Sequence, residues 1–332
     1  MKKTGIVIAA LAALILIAFV AYDGIFNKSV SVDFFAMNTV GTLKITGKDA
    51  DETAKKIEAQ LDLLDSDLLS RYNENSLLFK INSGLETENE ELAAYVRTLI
   101  DVSRKSGGAF DFTLGAISDL WDFGGNASIP DSAKLLQELS HAGYEKISVT
   151  DSRIVSADKN AVIDLGAAGK GIALDKAKEI LDAQNVRKAV ISVGGSVLCY
   201  GEGDFTVGIR NPEGNAGEYI AILRTNACCV STSGNYERYF EKDGKRYHHI
   251  LDPKTGYPAE SGVVSVTVIS ENGLLSDALS TACFVLGVEK GGELAKEFGC
   301  EAVFVTADKK IYATDGAKAM LTVETEGYIL AE

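Results

Sequence analysis

The residues of this chain that could do chemistry are concentrated in three short stretches, the first of which is 248–258. It holds two of the three histidines, followed by Asp252-Pro253-Lys254-Thr255-Gly256. That sequence favours a tight turn, and residues 246–251 have the aromatic and branched composition of a strand. An imidazole held at such a turn is suited to general base catalysis. A hairpin whose two histidines serve packing or face solvent is the alternative.

The second stretch, 162–175, predicts a strand that ends at Asp164, a loop of small residues, and a helix that begins near Gly171. Free N–H groups at a helix N-terminus bind anions. Lys170 could add a positive charge against phosphate. The pattern is neither a P-loop nor a G-x-G-x-x-G fingerprint. A tight strand-to-helix turn that uses glycine for steric reasons is the alternative.

The third stretch is 276–282, where we expect Asp277 to open a helix. Asp277 and Thr281 are four residues apart, so both oxygens would lie on one helix face. Hard oxygen ligands in this arrangement suit Mg²⁺ or Ca²⁺. The alternative is an N-cap aspartate followed by an ordinary helical threonine.

Helices and strands that could position these stretches alternate along the rest of the chain. Apolar periodicity predicts helices over 51–69, 88–105 and 132–142, the last with an exposed His141 near its end. Strands are predicted over 31–46, 189–193, 205–210, 219–223, 228–231, 263–269, 302–306, 311–314 and 319–323. This mixture predicts an α+β fold with mixed β-sheets flanked by helices.

Composition narrows the classes of function. The chain has 332 residues, 46% of them hydrophobic, which suits two domains or one large one. The net charge of -14 disfavours nucleic acid as a partner. A phosphate-bearing ligand held through a metal ion remains compatible with that charge. The five cysteines have no C-x-x-C spacing and lie among apolar residues, so they resemble core side chains more than a zinc site or a disulfide framework.

The N-terminal segment, residues 1–28, is set apart from the remainder, 29–332. Two lysines at positions 2 and 3 precede an unbroken apolar run over 5–22. This pattern is typical of a signal peptide or a short membrane anchor. We favour an uncleaved anchor in the cell membrane, with the rest of the chain on the extracytoplasmic face.

Together, the ordered motifs of residues 34–323 resemble the ApbE family of FAD:protein FMN transferases. The motifs are Met37 with Gly41-Thr42, Leu120-Trp121-Asp122-Phe123-Gly124, Asp164-Leu165-Gly166 with Lys170-Gly171, Gly194-Gly195, Ser231-Thr232-Ser233-Gly234, His249-Ile250-Leu251-Asp252-Pro253 with Thr255-Gly256, and Asp277-Ala278 with Thr281. Each motif is weak alone, and the specificity of the resemblance comes from the set in this order.

The resemblance implies a metal site and a general base. Mg²⁺ would be bound by Asp277, Thr281 and the backbone carbonyl of Ala167, with Ser280 nearby. His249 would be the base, and we prefer it to His248 because it directly precedes Ile-Leu-Asp-Pro. Contacts to the flavin or the nucleotide would fall on Met37, Tyr72, Leu120, Trp121, Asp122, Asp164, Lys170 and Leu251.

The resemblance also implies an activity. FMN would pass from FAD to a threonine or serine hydroxyl of an extracytoplasmic redox protein, with release of AMP. We expect the flavin to occupy a cleft between two lobes. Two alternatives stay open: a metal-dependent FAD pyrophosphatase that gives FMN and AMP, and a non-catalytic flavin-binding surface protein. Tyr72 at a ring-contacting position favours the transferase.

Overall fold

The fold is organised around one nine-stranded sheet, as seen in a computed structural model that describes residues 28–184, 186–215 and 217–331. The strands are β1 (Ser29–Ala36), β2 (Thr39–Gly47), β3 (Ile147–Thr150), β4 (Arg153–Ser156), β5 (Val186–Val193), β6 (Ser196–Gly201), β7 (Phe205–Arg210), β8 (Tyr219–Thr225), β9 (Cys228–Gly234), β10 (Tyr239–Lys242), β11 (Lys245–His248), β12 (Val263–Ser270), β13 (Glu301–Thr306), β14 (Lys310–Ala313), β15 (Leu321–Val323) and β16 (Ile329–Leu330).

The strand order in the large sheet is β1-β2-β5-β6-β9-β12-β13-β14-β16. Neighbouring strands in it are antiparallel except β14 and β16, which are parallel. Three smaller sheets accompany it: β15-β8-β7, and the hairpins β3-β4 and β10-β11. The sheet is therefore mixed, and the predicted α+β class is confirmed.

Helices cover the sheet and connect its strands. They are α1 (Ala50–Leu63), α2 (Leu77–Asn82), α3 (Glu90–Lys105), α4 (Gly115–Trp121), α5 (Ser132–His141), α6 (Gly169–Asp182), α7 (Gly273–Leu286), α8 (Val288–Glu297) and α9 (Asp315–Met320). The periodic stretch 51–69 forms α1 and then continues as a π-helical segment, Leu64–Leu69. Its apolar positions Ile57, Leu61 and Leu64 are buried, which is why the periodicity identified it correctly.

Apolar side chains fill both faces of the sheet. Leu198 and Cys229 lie in the main core beneath the helices, whereas Val230, the next residue of β9, packs in a second cluster with Ile220 and Leu223 of β8. Successive strand residues point to opposite faces, so this alternation fixes the register of β9. A third cluster surrounds Trp121 and includes Ile117, Leu135 and Leu251.

Several sequence predictions require correction. The helix expected to open at Asp277 begins at Gly273, because the Asn272 side chain caps it by accepting a hydrogen bond from Leu275 N at 2.8 Å. Residues 319–323 were expected to be a strand, but only Leu321–Val323 is, since the preceding turn belongs to α9.

Two other predicted strands are shorter than expected or absent. The strand predicted over 246–251 ends at His248, where the chain enters a turn. No strand ends at Asp164; within the described residues, the stretch before it contributes a single bridge between Val162 and Leu114. Bulk and branching favour extended backbone at both places, but the pairing found there among the described residues is limited to isolated bridges, Leu114 to Val162 and Leu251 to Pro258.

His141 was expected to be an exposed helix residue, and the structure gives it a partner. It ends α5 as predicted, but it is only partly exposed, and its Nδ1 lies 2.9 Å from Asp158 Oδ2. The predicted N-terminal segment lies outside the described residues apart from Lys28. Among residues 28–184, 186–215 and 217–331, no helix combines the length and apolarity needed to cross a bilayer.

Candidate functional site

The site is built where helices α6 and α7 cross at two glycines. A Cβ on Gly171 would lie 2.1 Å from the carbonyl oxygen of Gly273, and a Cβ on Gly273 would lie 2.3 Å from the oxygen of Gly171. Both carboxylate oxygens of Asp175 accept hydrogen bonds from the start of α7, at 2.6 Å from Gly273 N and 2.9 Å from Leu274 N. Only glycine permits this approach, which brings the first turn of α6 against the second turn of α7.

Asp277 faces α6 from that second turn. Its buried carboxylate accepts hydrogen bonds from Gly171 N at 3.0 Å and from Ser196 Oγ at 3.2 Å. The Lys170 ammonium lies 3.2 and 3.3 Å from its two oxygens. The negative charge is therefore held by a helix N-terminus, a hydroxyl and a cation. The structure thus brings the second and third chemical stretches into contact through Lys170, Gly171 and Asp277.

Hydroxyl groups continue the site along α7 and β9. Ser233 Oγ lies 2.7 Å from Ser280 Oγ and 3.2 Å from Thr281 Oγ1. One turn earlier, Ser231 and Ser276 make the same kind of contact at 2.8 Å. Residues two apart on a strand share a face, so β9 presents both serines to α7.

The donor set fits a hard cation. It combines one buried carboxylate with hydroxyl oxygens. The Lys170 ammonium is paired with that carboxylate in this structure, so a metal ion would bind beside it or take its place. In the part of the chain that the structure describes, no three His, Cys, Asp or Glu side chains cluster as metal ligands. A cation at Asp277 therefore depends on hydroxyl and backbone oxygens. Ala167, whose carbonyl was predicted as a ligand, lies just before α6 and is partly exposed.

The two histidines have different environments. His248 is buried, with Nε2 3.2 Å from the oxygen of Ala259 and its ring edge against Phe284. His249 is partly exposed and donates its backbone N–H to Arg238 O at 3.1 Å. The Nδ1 of His249 is buried and makes no hydrogen bond to the described residues. His249 therefore has a ring nitrogen that could form a hydrogen bond with a ligand.

Electrostatics keep the His249 imidazole neutral. Burial lowers its pKa well below the ordinary value, and the charges of Arg238 and Lys170 lower that pKa further. Lys170 pairs with Asp277 and its charge also acts on the His249 imidazole. Lys170 therefore interacts electrostatically with residues of the first and third chemical stretches.

Trp121 supports the turn that follows the histidines. Its Nε1 donates to the Gly256 carbonyl at 2.8 Å, while the turn is closed by Asp252 N to Tyr257 O at 2.8 Å. The indole has no exposed surface, and it stacks on Phe123 with ring centroids 5.5 Å apart. In this structure Trp121 therefore packs behind the site, and the expected contact of its ring with a ligand stays a prediction.

The neighbours of Trp121 have different exposures. Leu251 is buried in the same cluster, whereas Leu120 is partly exposed. Asp122 is exposed and ends α4 in the left-handed conformation, with φ of 48°. Its Oδ2 accepts a hydrogen bond from Asn126 N at 2.8 Å. Leu120 and Asp122 therefore keep accessible surface for a ligand.

Met37 lies at the tip of the β1–β2 hairpin, over the start of α6. A Cβ placed on Gly169 would be 3.8 Å from Met37 Cε, and Met37 N donates to Asp65 Oδ2 at 3.2 Å. Met37 and Asn38 both have positive φ, as a two-residue hairpin turn requires. A surface hollow of about 450 Å³ adjoins the tip. It is lined by Phe35, Ala36, Asp62, Asp65, Ser66, Ser70 and Asn73.

Arg71 links two of the predicted ligand-binding residues, and the sequence analysis missed it. Its Nε donates to Asp164 Oδ2 at 2.9 Å, and its terminal nitrogens donate to both oxygens of Asp119 at 2.7 and 2.8 Å. The guanidinium lies 4.2 Å from the ring centre of Tyr72, whose hydroxyl also contacts Asp119 at 3.1 Å. Tyr72 and Asp164 thus belong to one ion-paired group.

The sequence matches the ApbE family over residues 37–304. The FAD:protein FMN transferase of Treponema pallidum is 34% identical over 288 residues, which cover 79% of this chain and 80% of that protein. The FAD:protein FMN transferase of Escherichia coli K12 is 31% identical over 314 residues, 89% of this chain and 88% of that protein.

Solved structures are similar over most of the chain. The ApbE protein of Thermotoga maritima superposes with a TM-score of 0.80 at 31% identity, covering 88% of this chain and 99% of that one. The apo form of the Pseudomonas stutzeri flavinyl transferase ApbE gives a TM-score of 0.76 at 28% identity, covering 88% and 96%. The range matched by the family, 37–304, contains every predicted site residue.

Proposed function

Because this chain belongs to the ApbE family of FAD:protein FMN transferases, we propose that it moves FMN from FAD to a threonine or serine hydroxyl of an acceptor protein in an Mg²⁺-dependent reaction that releases AMP. The observation that carries this proposal is the group around Lys170. There a buried carboxylate is held by a helix N-terminus and by the Lys170 ammonium, whose charge also lowers the pKa of His249.

The residues around Asp277 would bind the diphosphate that joins the two halves of FAD. Asp277, Thr281 and the Ala167 carbonyl would hold Mg²⁺, with Ser280 behind them; the ion would neutralise charge on the diphosphate. Lys170 and the N–H groups at the start of α6 add positive potential at the same place. Phosphoryl transfer depends mainly on such positioning and charge neutralisation.

His249 would take the proton from the acceptor hydroxyl. The acceptor oxygen then bonds to the phosphorus of the FMN half, and the bond from that phosphorus to the bridging diphosphate oxygen breaks. AMP leaves with the electron pair of that bond. A base must be unprotonated before the reaction, and burial meets this condition by lowering the pKa of His249. His248 is less suited because its ring is already engaged with Ala259.

The flavin and adenine would contact residues on either side of this centre. Met37 is placed over the start of α6, and Asp164 and Tyr72 are held by Arg71. We propose that Leu120 and Asp122 offer the accessible contacts of the 120–122 segment, with Trp121 and Leu251 packed behind them. We propose that these residues line the cleft that binds the flavin.

The acceptor and the location also belong to the proposal. The basic and apolar pattern of residues 1–28 supports a membrane anchor or a cleaved signal, with the remaining chain on the extracytoplasmic face. The acceptor would then be an extracytoplasmic redox protein. The net charge of -14 disfavours nucleic acid as an alternative partner.

The proposal is tested by incubating residues 29–332 with FAD, Mg²⁺ and extracytoplasmic redox proteins of the source organism. We expect flavin fluorescence that stays on the acceptor after denaturation, an equal yield of AMP, and loss of both with EDTA. Free FMN and AMP without labelled protein would instead identify a pyrophosphatase. Tight FAD retention without turnover in any divalent metal would identify a binding protein.

A further inference from the structure

Two cysteines face each other across adjacent strands of the central sheet. In the antiparallel pair β6–β9, Cys199 lies directly opposite Cys228, in the register that also places Ser196 opposite Ser231. Directly opposed residues of antiparallel strands have Cα atoms about 4.5–5.5 Å apart. Disulfides occur at Cα separations of about 4.4–6.8 Å, so the backbone geometry allows a bond between these two.

The orientation of the neighbouring cysteine strengthens this pairing. Cys229 follows Cys228 but lies in the main core with Leu198, on the other face of the sheet. Cys228 packs against the second cluster, which lies on the opposite face. Since strand residues alternate between faces, Cys199 and Cys228 share a face that Cys229 does not reach.

The two thiols are also chemically different. Cys199 is buried, whereas Cys228 is partly exposed. The side chains interact directly; the hydrogen bond from Cys199 lowers the pKa of Cys228 to about 7, and the Thr225 hydroxyl, 3.3 Å from its sulfur, also favours the thiolate. Cys228 is therefore the accessible nucleophile, and Cys199 the resolving thiol behind it.

We propose that Cys199 and Cys228 form a reversible cross-strand disulfide. The inference does not rest on the proposed flavin transfer, since neither residue belongs to that site. Composition alone presents the cysteines as core side chains, because spacing in the sequence cannot show which of them are opposed.

The two electrons are accepted by a disulfide oxidant, which is either a small-molecule disulfide or a thiol–disulfide exchange protein. The Cys228 thiolate attacks one sulfur of the oxidant, forms a mixed disulfide and releases the first thiolate. Cys199 loses its proton and attacks the Cys228 sulfur, which releases the second thiolate. The two protein thiols are oxidised by two electrons, and the oxidant is reduced to two thiols.

The disulfide would cross-link strands β6 and β9 of the central sheet. It closes the segment 199–228, which contains the hairpin β7–β8. The bond lies three register positions from Ser196, or about 10 Å along the strand. Closing a loop of this size restricts the unfolded chain, so the oxidised protein should unfold at a higher temperature than the reduced one.

The experiment oxidises the folded chain with glutathione disulfide, blocks the remaining thiols and maps the peptides by mass spectrometry. We expect one peptide pair that joins Cys199 to Cys228, with a mass about 2 Da below that of the two thiol peptides together. We also expect a rise in melting temperature that dithiothreitol reverses. Cys228→Ser should abolish the cross-link, whereas the matched control Cys229→Ser should retain it.

The peptide map decides the proposal even if a variant fails to fold, because it is made on the unaltered sequence. A folded protein that keeps all five thiols after oxidation would overturn the proposal. A cross-link between Cys228 and Cys229, or one that excludes Cys199, would overturn it equally. Flavin transfer can succeed or fail in the same preparation without changing this result.

Discussion

Replacing Gly171 with alanine should separate the two helices that build the site. The added Cβ would lie 2.1 Å from the Gly273 carbonyl oxygen, 2.5 Å from the Gly273 carbonyl carbon and 2.8 Å from Asp277 Cβ. Ordinary contact begins at 3.4 Å, so relieving the worst contact requires a shift of 3.4 − 2.1 = 1.3 Å. The two nearest obstructing atoms belong to the backbone and the third is a Cβ, so no change of side-chain rotamer can remove them.

The cost follows from that displacement. Overpacking in a well-packed interior costs about 1–3 kcal/mol and sometimes more. Alanine recovers about 1 kcal/mol through its higher helix propensity. Because this clash is with backbone atoms, we expect the overpacking cost to lie at the top of that range, which gives a net loss in the free energy of unfolding of about 2 kcal/mol. The hydrogen bond from Gly171 N to Asp277 would also lengthen, and a misplacement of about 1 Å at a reacting centre can cost about 100-fold in rate.

The assay compares Gly171→Ala with Gly292→Ala by urea unfolding and by the rate of acceptor labelling. Gly292 lies in α8, and a Cβ there meets nothing within 4 Å, so its replacement should leave the rate unchanged and stabilise the chain by about 0.4–1 kcal/mol. If Gly171→Ala kept wild-type stability and rate, the close crossing of α6 and α7 would not be what positions Asp277.

Three further predictions concern the histidines and the turn that follows them. His249→Ala should keep FAD affinity within a few-fold but slow transfer by about 100-fold or more, because it removes the base; transfer near the wild-type rate would show that another group accepts the proton. Stability should fall with pH below about 6.5, because burial lowers the pKa of His248 to about 4 and that of His249 in the same direction, so the unfolded chain binds protons that the folded chain does not. His248 alone should account for about 2 kcal/mol between about pH 7.5 and 5 in urea titrations, and an unchanged midpoint would contradict its burial in the neutral form. Trp121→Phe should cost about 2–3 kcal/mol, because it removes ring volume from a fully buried position and leaves the Gly256 carbonyl without its donor; urea unfolding within 0.5 kcal/mol of wild type would show that the turn is held by other contacts.

Local pattern identified the elements of the fold where one face of an element is buried. The apolar spacing of 51–69 and the branched runs of the sheet strands report that burial directly, so their positions were predictable. The start of α7 was misplaced because Asn272 and Asp277 are both plausible caps. In the structure Asn272 is the cap of α7, and Asp277 lies inside the helix, where its carboxylate accepts a hydrogen bond from α6.

The site was predictable in its residue types but not in its connections. Arg71 pairs with residues 48 and 93 positions away in the sequence, and no local sequence pattern predicts such pairs. The indole of Trp121 illustrates the same limit, since a lone tryptophan among glycines suits either a ligand wall or a core. Its burial is decided by rings contributed from β10, β11 and the turn near Tyr257.

A crystal structure of the His249→Ala variant with FAD and Mn²⁺ is the most direct test of the central claim, since loss of the base should preserve the bound donor. We predict anomalous density for the cation at the Asp277 carboxylate, with the diphosphate lying between that cation and residue 249. A dinucleotide bound elsewhere, or a diphosphate that residue 249 does not face, would contradict the account.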